Sequence, residues 1–376
     1  MQIFIIPILN SLFFIIPFIL LLLFFIKNKN TLSIFFSITY FILLFIILLN
    51  KPMYNGDTLE YYHRFQSTID YYPTEVLFGA YTKLISFFTL DPNIYVTVLI
   101  LTCILLQLVS IIIACGREKI SLLIVLFISN SFILLTWSGI YRNGLSIPFL
   151  ILSFTFLYQK KLFTSFFLLL VSILIHNSSI IFLPVWFIIL FNRTISRFDK
   201  LIFNFCLFIL SISMFLDVHL IRESISFIIT NFIQPVIPNE YLRLTRYFTS
   251  NVTEFNNENS SYLIATSKIQ LEAYIQIIIF SFLFIRDRLN IPQNNFWGKI
   301  YIYSIVLYSL SIGIAFSYRF YLVSSFIFCI YIYFRVFNFN IKNRIIFSIL
   351  LLFMYLLFCF YSLPPEKIGL MYLNPF

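Results

Sequence analysis

Long apolar runs separated by short polar or basic segments dominate the chain. Divided at about 20 residues per crossing and cut where charges cluster, they predict about 12 transmembrane helices, within a range of roughly 10 to 13. We expect the spans at residues 3–26, 31–49, 94–114, 120–136, 139–158, 162–175, 178–191, 201–217, 269–285, 300–317, 320–334 and 345–362. With no repeat, heptad run or flexible linker, the pattern predicts one all-α domain, a polytopic integral membrane helix bundle over residues 1–376.

Two segments between the predicted spans are long, at about residues 50–93 and 218–268. The first contains the amphipathic stretch TEVLFGAYTKLISFF, residues 74–88, which predicts a helix that lies at the membrane interface or dips into it. The second combines a short apolar piece with a long polar stretch. We expect both to be loops on the outer side.

Composition excludes a water-soluble fold, because 61% of the residues are hydrophobic and 11% are charged. The five cysteines show no CxxC spacing, which argues against a disulfide framework or a thiolate metal site. The apolar N-terminus lacks a basic leading region and a small-residue cleavage site, so we expect a retained first span.

The basic residues predict the orientation. If the N-terminus lies outside, alternate loops on the inner side hold 15 of the 25 Lys and Arg residues against three acidic residues. This is the asymmetry that the positive-inside rule requires. The net charge of +10 therefore reports topology and gives no sign of nucleic-acid binding.

Residues 162–191 predict a hairpin that turns at His176–Ser179. A single crossing would place one of the two flanking basic clusters outside, whereas a hairpin keeps both inside. Its first arm has 14 residues and reaches only about 21 Å, less than a hydrocarbon core of about 30 Å. We therefore expect His176 to lie below the outer surface, in a cavity that admits water.

Arg142 and His176 are ionisable residues within apolar sequence, where such residues usually face a cavity or a binding site. On one helix Arg142 would share a polar stripe with Ser138 and Ser146, and its planar guanidinium suits a phosphate or carboxylate ligand. The alternative is an arginine that reaches to lipid headgroups. His176, followed by Asn177 and two serines, could act as a general base or could be an inert turn histidine.

Other polar candidates lie at the predicted outer face. Asp57 and Glu60, flanked by tyrosines such as Tyr61, are suited to holding sugar hydroxyls, with solvated loop carboxylates as the alternative. Arg319 could join Arg142 around a doubly charged phosphate or reach to headgroups. Arg243 and Arg246 lie in the second loop, where solvation is the simpler interpretation. The sequence contains no P-loop, GxGxxG, nucleophile elbow or HExxH motif.

The order of these motifs resembles the EpsG-type, Wzy-like polysaccharide and O-antigen polymerases. Asp57 and Tyr61 are followed by Tyr-Arg-Asn-Gly-Leu at 141–145, by Lys160 and Lys161, and by Ile-His-Asn-Ser-Ser at 175–179. Tyr-Arg-Phe-Tyr at 318–321 provides a later match. The family often has Ala after Arg-x-Gly-Leu, where this chain has Ser146.

The resemblance implies an enzyme that transfers a growing glycan from an undecaprenyl-pyrophosphate carrier to the next lipid-linked repeat unit, at the outer face of a bacterial cytoplasmic membrane. It implies a product such as capsule, exopolysaccharide or O-antigen, and partners such as a flippase and a chain-length regulator. There are two alternatives. One is another membrane glycosyltransferase that uses lipid-linked sugars, and the other is a polysaccharide or lipid flippase. A flippase would need charges through both halves of the membrane, whereas the candidates here cluster at one face.

The residues suit this chemistry. Glycan transfer needs cations for the leaving pyrophosphate and a base near the attacking hydroxyl. Arg142 and Arg319 are the candidates for the pyrophosphate, and His176 or Asp57 for the base. We expect no metal and no cofactor. The candidates for the acceptor sugar are Glu60, Tyr61, Tyr141 and Asn143, with Arg243 and Arg246 as weaker site candidates.

Overall fold

The computed structural model describes residues 58–67, 75–116, 139–215, 273–284, 292–311 and 318–337, with the single positions Ile19, Phe35, Ile38, Thr39, Ile42, Ile133, Thr136 and Phe347. The secondary structure of these residues is helical, with short turns between helices and no strand, which confirms the all-α class. The helices are α1 Thr58–Ser67, α2 Val76–Ser86, α3 Pro92–Cys115, α4 Tyr141–Tyr158, α5 Leu162–Ile175, α6 Leu183–Phe191, α7 Arg197–Phe215, α8 Ala273–Phe284, α9 Pro292–Leu310 and α10 Tyr318–Phe337. The loop predicted at 218–268 lies outside the described residues, so the number of spans and the outer loops stay predictions.

Helix α3 is, among the described helices, the one that is both long and apolar enough to cross a membrane. Its 24 residues extend about 36 Å, compared with about 30 Å for a hydrocarbon core. The sequence defines both ends of the helix. Asp91 Oδ1 accepts a hydrogen bond of 2.8 Å from the Asn93 amide, with Pro92 at the first helical position, and Gly116 follows the last residue with a φ of 82°.

Two compact units are present, one formed by residues 1–190 with 329–376 and the other by residues 191–328. In the first unit α4 packs on both α3 and α5, and α1 and α2 cover the same group of helices. Along α1 the buried residues Thr58, Tyr61 and Phe65 recur at helical spacing and form its inner face. The Phe65 ring stacks on Tyr95 of α3 with centroids 4.2 Å apart.

A proline in α4 explains a polar side chain in α3. Pro148 has no N–H, so the carbonyl of Gly144, four residues earlier, lacks its helical donor. Gln107 Nε2 donates to that carbonyl over 2.9 Å and also to Thr136 Oγ1 over 3.0 Å. The helices approach closely here, because a Cβ on Gly144 would lie 2.8 Å from the Thr136 carbonyl and 2.9 Å from Cys103 Sγ.

Serines join α4 to α5. Ser153 Oγ donates to the Ser165 carbonyl over 2.7 Å, and Ser165 Oγ donates back to the Ser153 carbonyl over 2.8 Å. Both side chains are fully buried, which is typical of close helix packing between small residues. A short turn connects the two helices, with Lys160 at a φ of 65°.

The chain reverses direction after α5, as the sequence predicts. His176 is extended, and a 3-10 helix at Asn177–Phe182 leads into α6. Trp186 Nε1 of α6 donates to Ser165 Oγ of α5 over 2.8 Å. In one continuous helix those residues would be about 30 Å apart, so this hydrogen bond confirms the hairpin.

The second unit corrects one predicted boundary. The span is expected at 300–317, whereas the helix α9 lies at Pro292–Leu310. The predicted start is too late because Lys299, used as the charged end of the span, lies inside the helix. Lys299 Nζ forms a buried ion pair of 3.1 Å with Asp199 Oδ2 and donates to the Thr194 carbonyl over 3.0 Å. Tyr303 donates to the same carboxylate over 2.7 Å. Because Asp199 neutralises it, Lys299 can lie buried within the helix and does not mark the end of the apolar segment.

We expect Gly144→Ala to destabilise the protein by about 1–3 kcal/mol, the usual cost of overpacking a close contact. In an open helix the same change would instead stabilise by about 1 kcal/mol. Thermal unfolding of the purified protein in detergent measures the difference, with Leu105→Ala on the exposed side of α3 as the control. An unchanged or higher melting temperature for Gly144→Ala would contradict the close approach.

Candidate functional site

Arg142 and His176 share one partner, the carboxylate of Glu75. Glu75 directly precedes α2, whereas Arg142 lies in the first turn of α4 and His176 follows the last residue of α5. Arg142 Nη1 donates to Glu75 Oε2 over 2.9 Å, and His176 Nδ1 lies 2.5 Å from Glu75 Oε1. Three segments that are distant in sequence therefore meet at one buried carboxylate.

Aromatic residues support this cluster from α1 and α4. Arg142 Nε donates to the hydroxyl of Tyr61 over 2.9 Å, and the Tyr61 ring lies 5.3 Å from the ring of Tyr141. The hydroxyls of Tyr141 and Thr58 share a hydrogen bond of 3.3 Å. Tyr61 is 2% exposed and Tyr141 is fully buried. The packed ring of Tyr141 therefore helps to hold Tyr61 against the Arg142 guanidinium.

Burial and charge act in opposite directions on Glu75. Removal from water raises the pKa of the Glu75 carboxyl, but the hydrogen bond from His176 and the positive charge of Arg142 together outweigh that effect. The pKa of Glu75 therefore lies below its ordinary value, and the side chain is ionised at neutral pH. The Arg142 side chain is 20% exposed, so the cluster is accessible on that side.

Asn143, next to Arg142, is buried, and its Nδ2 has no hydrogen-bond partner among the described residues. Buried amide donors are rarely left in this state. Ser146 lies one turn further along α4, where its Oγ donates to the Asn143 carbonyl over 3.2 Å and its carbonyl accepts from Ser172. Of the predicted polar stripe, Arg142 and Ser146 lie on α4, and Ser138 lies outside the described residues.

The remaining sequence candidates are outside what the structure describes. Asp57, Arg243 and Arg246 lie outside the described residues, and the side chains of Glu60 and Arg319 are not described although α1 and α10 include their positions. Their assigned roles stay predictions. Among the described residues, no group of three His, Cys, Asp or Glu side chains could hold a metal ion.

Sequence reasoning missed Glu75. It lies in the predicted amphipathic stretch, whose helix the structure confirms at Val76–Ser86, but its separation from Arg142 and His176 by 67 and 101 residues hid the contact. One signal was available. Glu75 is the acidic residue near the start of this amphipathic stretch, and an acid that packs with the apolar face needs a cationic partner.

We expect Glu75→Gln to lower the melting temperature at pH 7, because it removes the negative charge that is paired with Arg142 at 2.9 Å. The folded-state pKa of Glu75 is depressed, so its carboxylate stabilises the protein above the ordinary pKa, and that contribution is lost as pH falls through the folded-state value. The difference in melting temperature between wild type and variant should therefore shrink below about pH 4.5. Asp91→Asn, which keeps a capping oxygen, is the control, and a difference that stays constant with pH would contradict the ionised carboxylate.

The sequence profile of the EpsG family matches residues 33–372, nearly the whole chain. The match includes every residue of the cluster around Glu75. Neither a curated protein nor a solved structure matches the chain significantly. The chain belongs to the EpsG family, membrane proteins of polysaccharide biosynthesis.

Proposed function

We propose that the protein is a polymerase of undecaprenyl-pyrophosphate-linked oligosaccharide repeat units, which transfers the growing glycan to the next lipid-linked unit at the outer face of the bacterial cytoplasmic membrane. Family membership supports the polysaccharide class and the membrane setting. The observation that carries the proposal is the meeting of a guanidinium and an imidazole at one partly accessible, mostly buried site. Those are the two kinds of group that glycan transfer from a pyrophosphate needs.

In this reaction the acceptor hydroxyl oxygen bonds to the anomeric carbon of the growing glycan, and the bond from that carbon to the pyrophosphate oxygen breaks. The pyrophosphate leaves with the electron pair and gains negative charge, which Arg142 stabilises. The role expected of Arg319 rests on the sequence alone. His176 accepts the hydroxyl proton. The charge changes are met by side chains, so the mechanism assigns no step to a metal or cofactor.

We assign the acceptor sugar to the N-terminal end of α1. Asp57 and Glu60 would hold sugar hydroxyls, and Asn143 Nδ2, which has no hydrogen-bond partner within the described part of the chain, provides a donor next to Arg142. The burial of Tyr61 and Tyr141 favours a supporting role for these tyrosines over direct contact with the sugar. Arg243 and Arg246, in the predicted second outer loop, stay weaker site candidates.

Two other functions are the alternatives. Another membrane glycosyltransferase that uses lipid-linked sugars would rest more on outer-loop carboxylates such as Asp57 and Glu60. A flippase would need charged residues through the depth of the bundle. Deletion of the gene separates the polymerase from both alternatives. Surface glycan reduced to single repeat units is expected for the polymerase, and complete loss of the glycan would instead indicate an earlier step.

We expect Arg142→Lys to lose most polymerising activity although the charge is kept. A single ammonium cannot reproduce both the bond from Nη1 to Glu75 and the bond from Nε to Tyr61. The measurement is the glycan ladder formed by membranes supplied with lipid-linked repeat units, at matched protein abundance. Arg197→Lys, at an exposed position, is the control. A wild-type ladder for Arg142→Lys would favour an arginine that merely reaches to headgroups.

We expect His176→Ala to lower the maximal rate by about 10²- to 10⁴-fold even at saturating substrate, the usual contribution of a general base. Asp57→Asn should mainly raise the apparent KM and be partly rescued by more acceptor. His63→Ala, at an exposed histidine, is the matched control. If Asp57→Asn abolishes turnover at every concentration while His176→Ala retains it, the carboxylate is the base and the roles are exchanged.

A further inference from the structure

Glu75 is placed to control the chemistry of His176, because its two carboxylate oxygens are divided between two partners. Oε2 accepts from Arg142 Nη1 over 2.9 Å, and Oε1 lies 2.5 Å from His176 Nδ1. The Arg142 bond orients the carboxylate, since the guanidinium is itself held by Tyr61. The oxygen that faces His176 is therefore fixed in space.

The ionised carboxylate determines which imidazole nitrogen carries a proton. A carboxylate can only accept hydrogen bonds, so the nitrogen that faces it must donate. His176 Nδ1 therefore holds the proton in the neutral ring, and the lone pair is on Nε2. The backbone of His176 is also constrained, because its N–H donates to the Ser172 carbonyl over 3.0 Å at the end of α5.

On the basis of the proposed function, we propose that Glu75 is a positioning residue that holds His176 in the Nδ1–H tautomer, so that Nε2 takes the acceptor proton, while it holds Arg142 beside it. When the acceptor oxygen bonds to the anomeric carbon, its proton moves to Nε2 and the imidazole becomes an imidazolium. The negative charge of Glu75 stabilises that cation across the Nδ1 hydrogen bond. Water takes the proton from Nε2 after the pyrophosphate has left.

Replacement by glutamine tests this role because an amide has one accepting oxygen and one donating NH₂ group. If the oxygen keeps the bond from Arg142, the NH₂ group faces His176 Nδ1 and requires a lone pair there. The ring proton then moves to Nε2, the atom that must act as the base. Glu75→Asp, in contrast, keeps two accepting oxygens and the negative charge, although its shorter side chain weakens one contact.

The experiment uses the full chain, labelled with ¹⁵N-histidine and reconstituted in lipid nanodiscs. The chain has three histidines, so the ring signals of His176 are assigned by their loss in His176→Ala. We expect the Nδ1–H tautomer in the wild type and in Glu75→Asp, and the Nε2–H tautomer in Glu75→Gln. In the polymerisation assay, Glu75→Gln should lose about 10²-fold or more of the maximal rate with a nearly unchanged KM, and Glu75→Asp should retain more activity than Glu75→Gln.

An Nε2–H tautomer in the wild type, or wild-type turnover in Glu75→Gln, would overturn the proposal. If Glu75→Gln does not fold, the tautomer of the wild type and of Glu75→Asp still decides it. Failure of the proposed function gives a different result. A wild-type protein that makes no polymer from lipid-linked repeat units while its His176 shows the Nδ1–H tautomer would refute the polymerase and leave the tautomer assignment intact.

Discussion

The buried carboxylate of Glu75 is the interaction on which the arrangement of the first unit depends. Glu75 lies directly before α2, and it joins the start of α4 to the end of α5 through its hydrogen bonds with Arg142 and His176. An ionised group in such a place is costly unless it is fully paired. The same pairing that makes the charge tolerable also fixes the direction of two side chains with reactive heads.

The helices behind the cluster make its geometry stiff. Gly144 allows α4 to lie against Cys103 and the Thr136 carbonyl, and serines hold α4 close to α5 on another side. Because Arg142 lies two residues before Gly144, the close contact determines how far the guanidinium extends toward α1 and α2. Stability of the bundle and alignment of the site thus depend on the same few small residues.

Much of this fold could be predicted from the sequence because apolar length and periodicity are local properties. The helices at 94–114, 139–158 and 162–175 were predicted within a few residues of their observed ends, and the reversal at His176 followed from the basic residues on either side. Charge was a poor guide where the structure neutralises it. Lys299 marked a false helix boundary because its partner Asp199 is 100 residues away in the chain.

The site was predictable only in part, for the same reason. Arg142 and His176 were conspicuous because each is an ionisable residue within apolar sequence, a contrast visible over a few neighbours. Glu75 was not conspicuous, since its importance comes from two partners in other helices. No periodicity records a contact between segments that far apart.

The bond between Gln107 and the Gly144 carbonyl has a consequence for how sequences of this kind can diverge. Pro148 removes the helical donor of that carbonyl, and an amide on the neighbouring helix replaces it. A descendant that loses the proline regains the donor within α4, and that carbonyl no longer requires the glutamine. A descendant that keeps the proline cannot lose the glutamine without burying an unsatisfied oxygen. Positions 107 and 148 should therefore vary together among related chains, although neither side chain takes part in the chemistry.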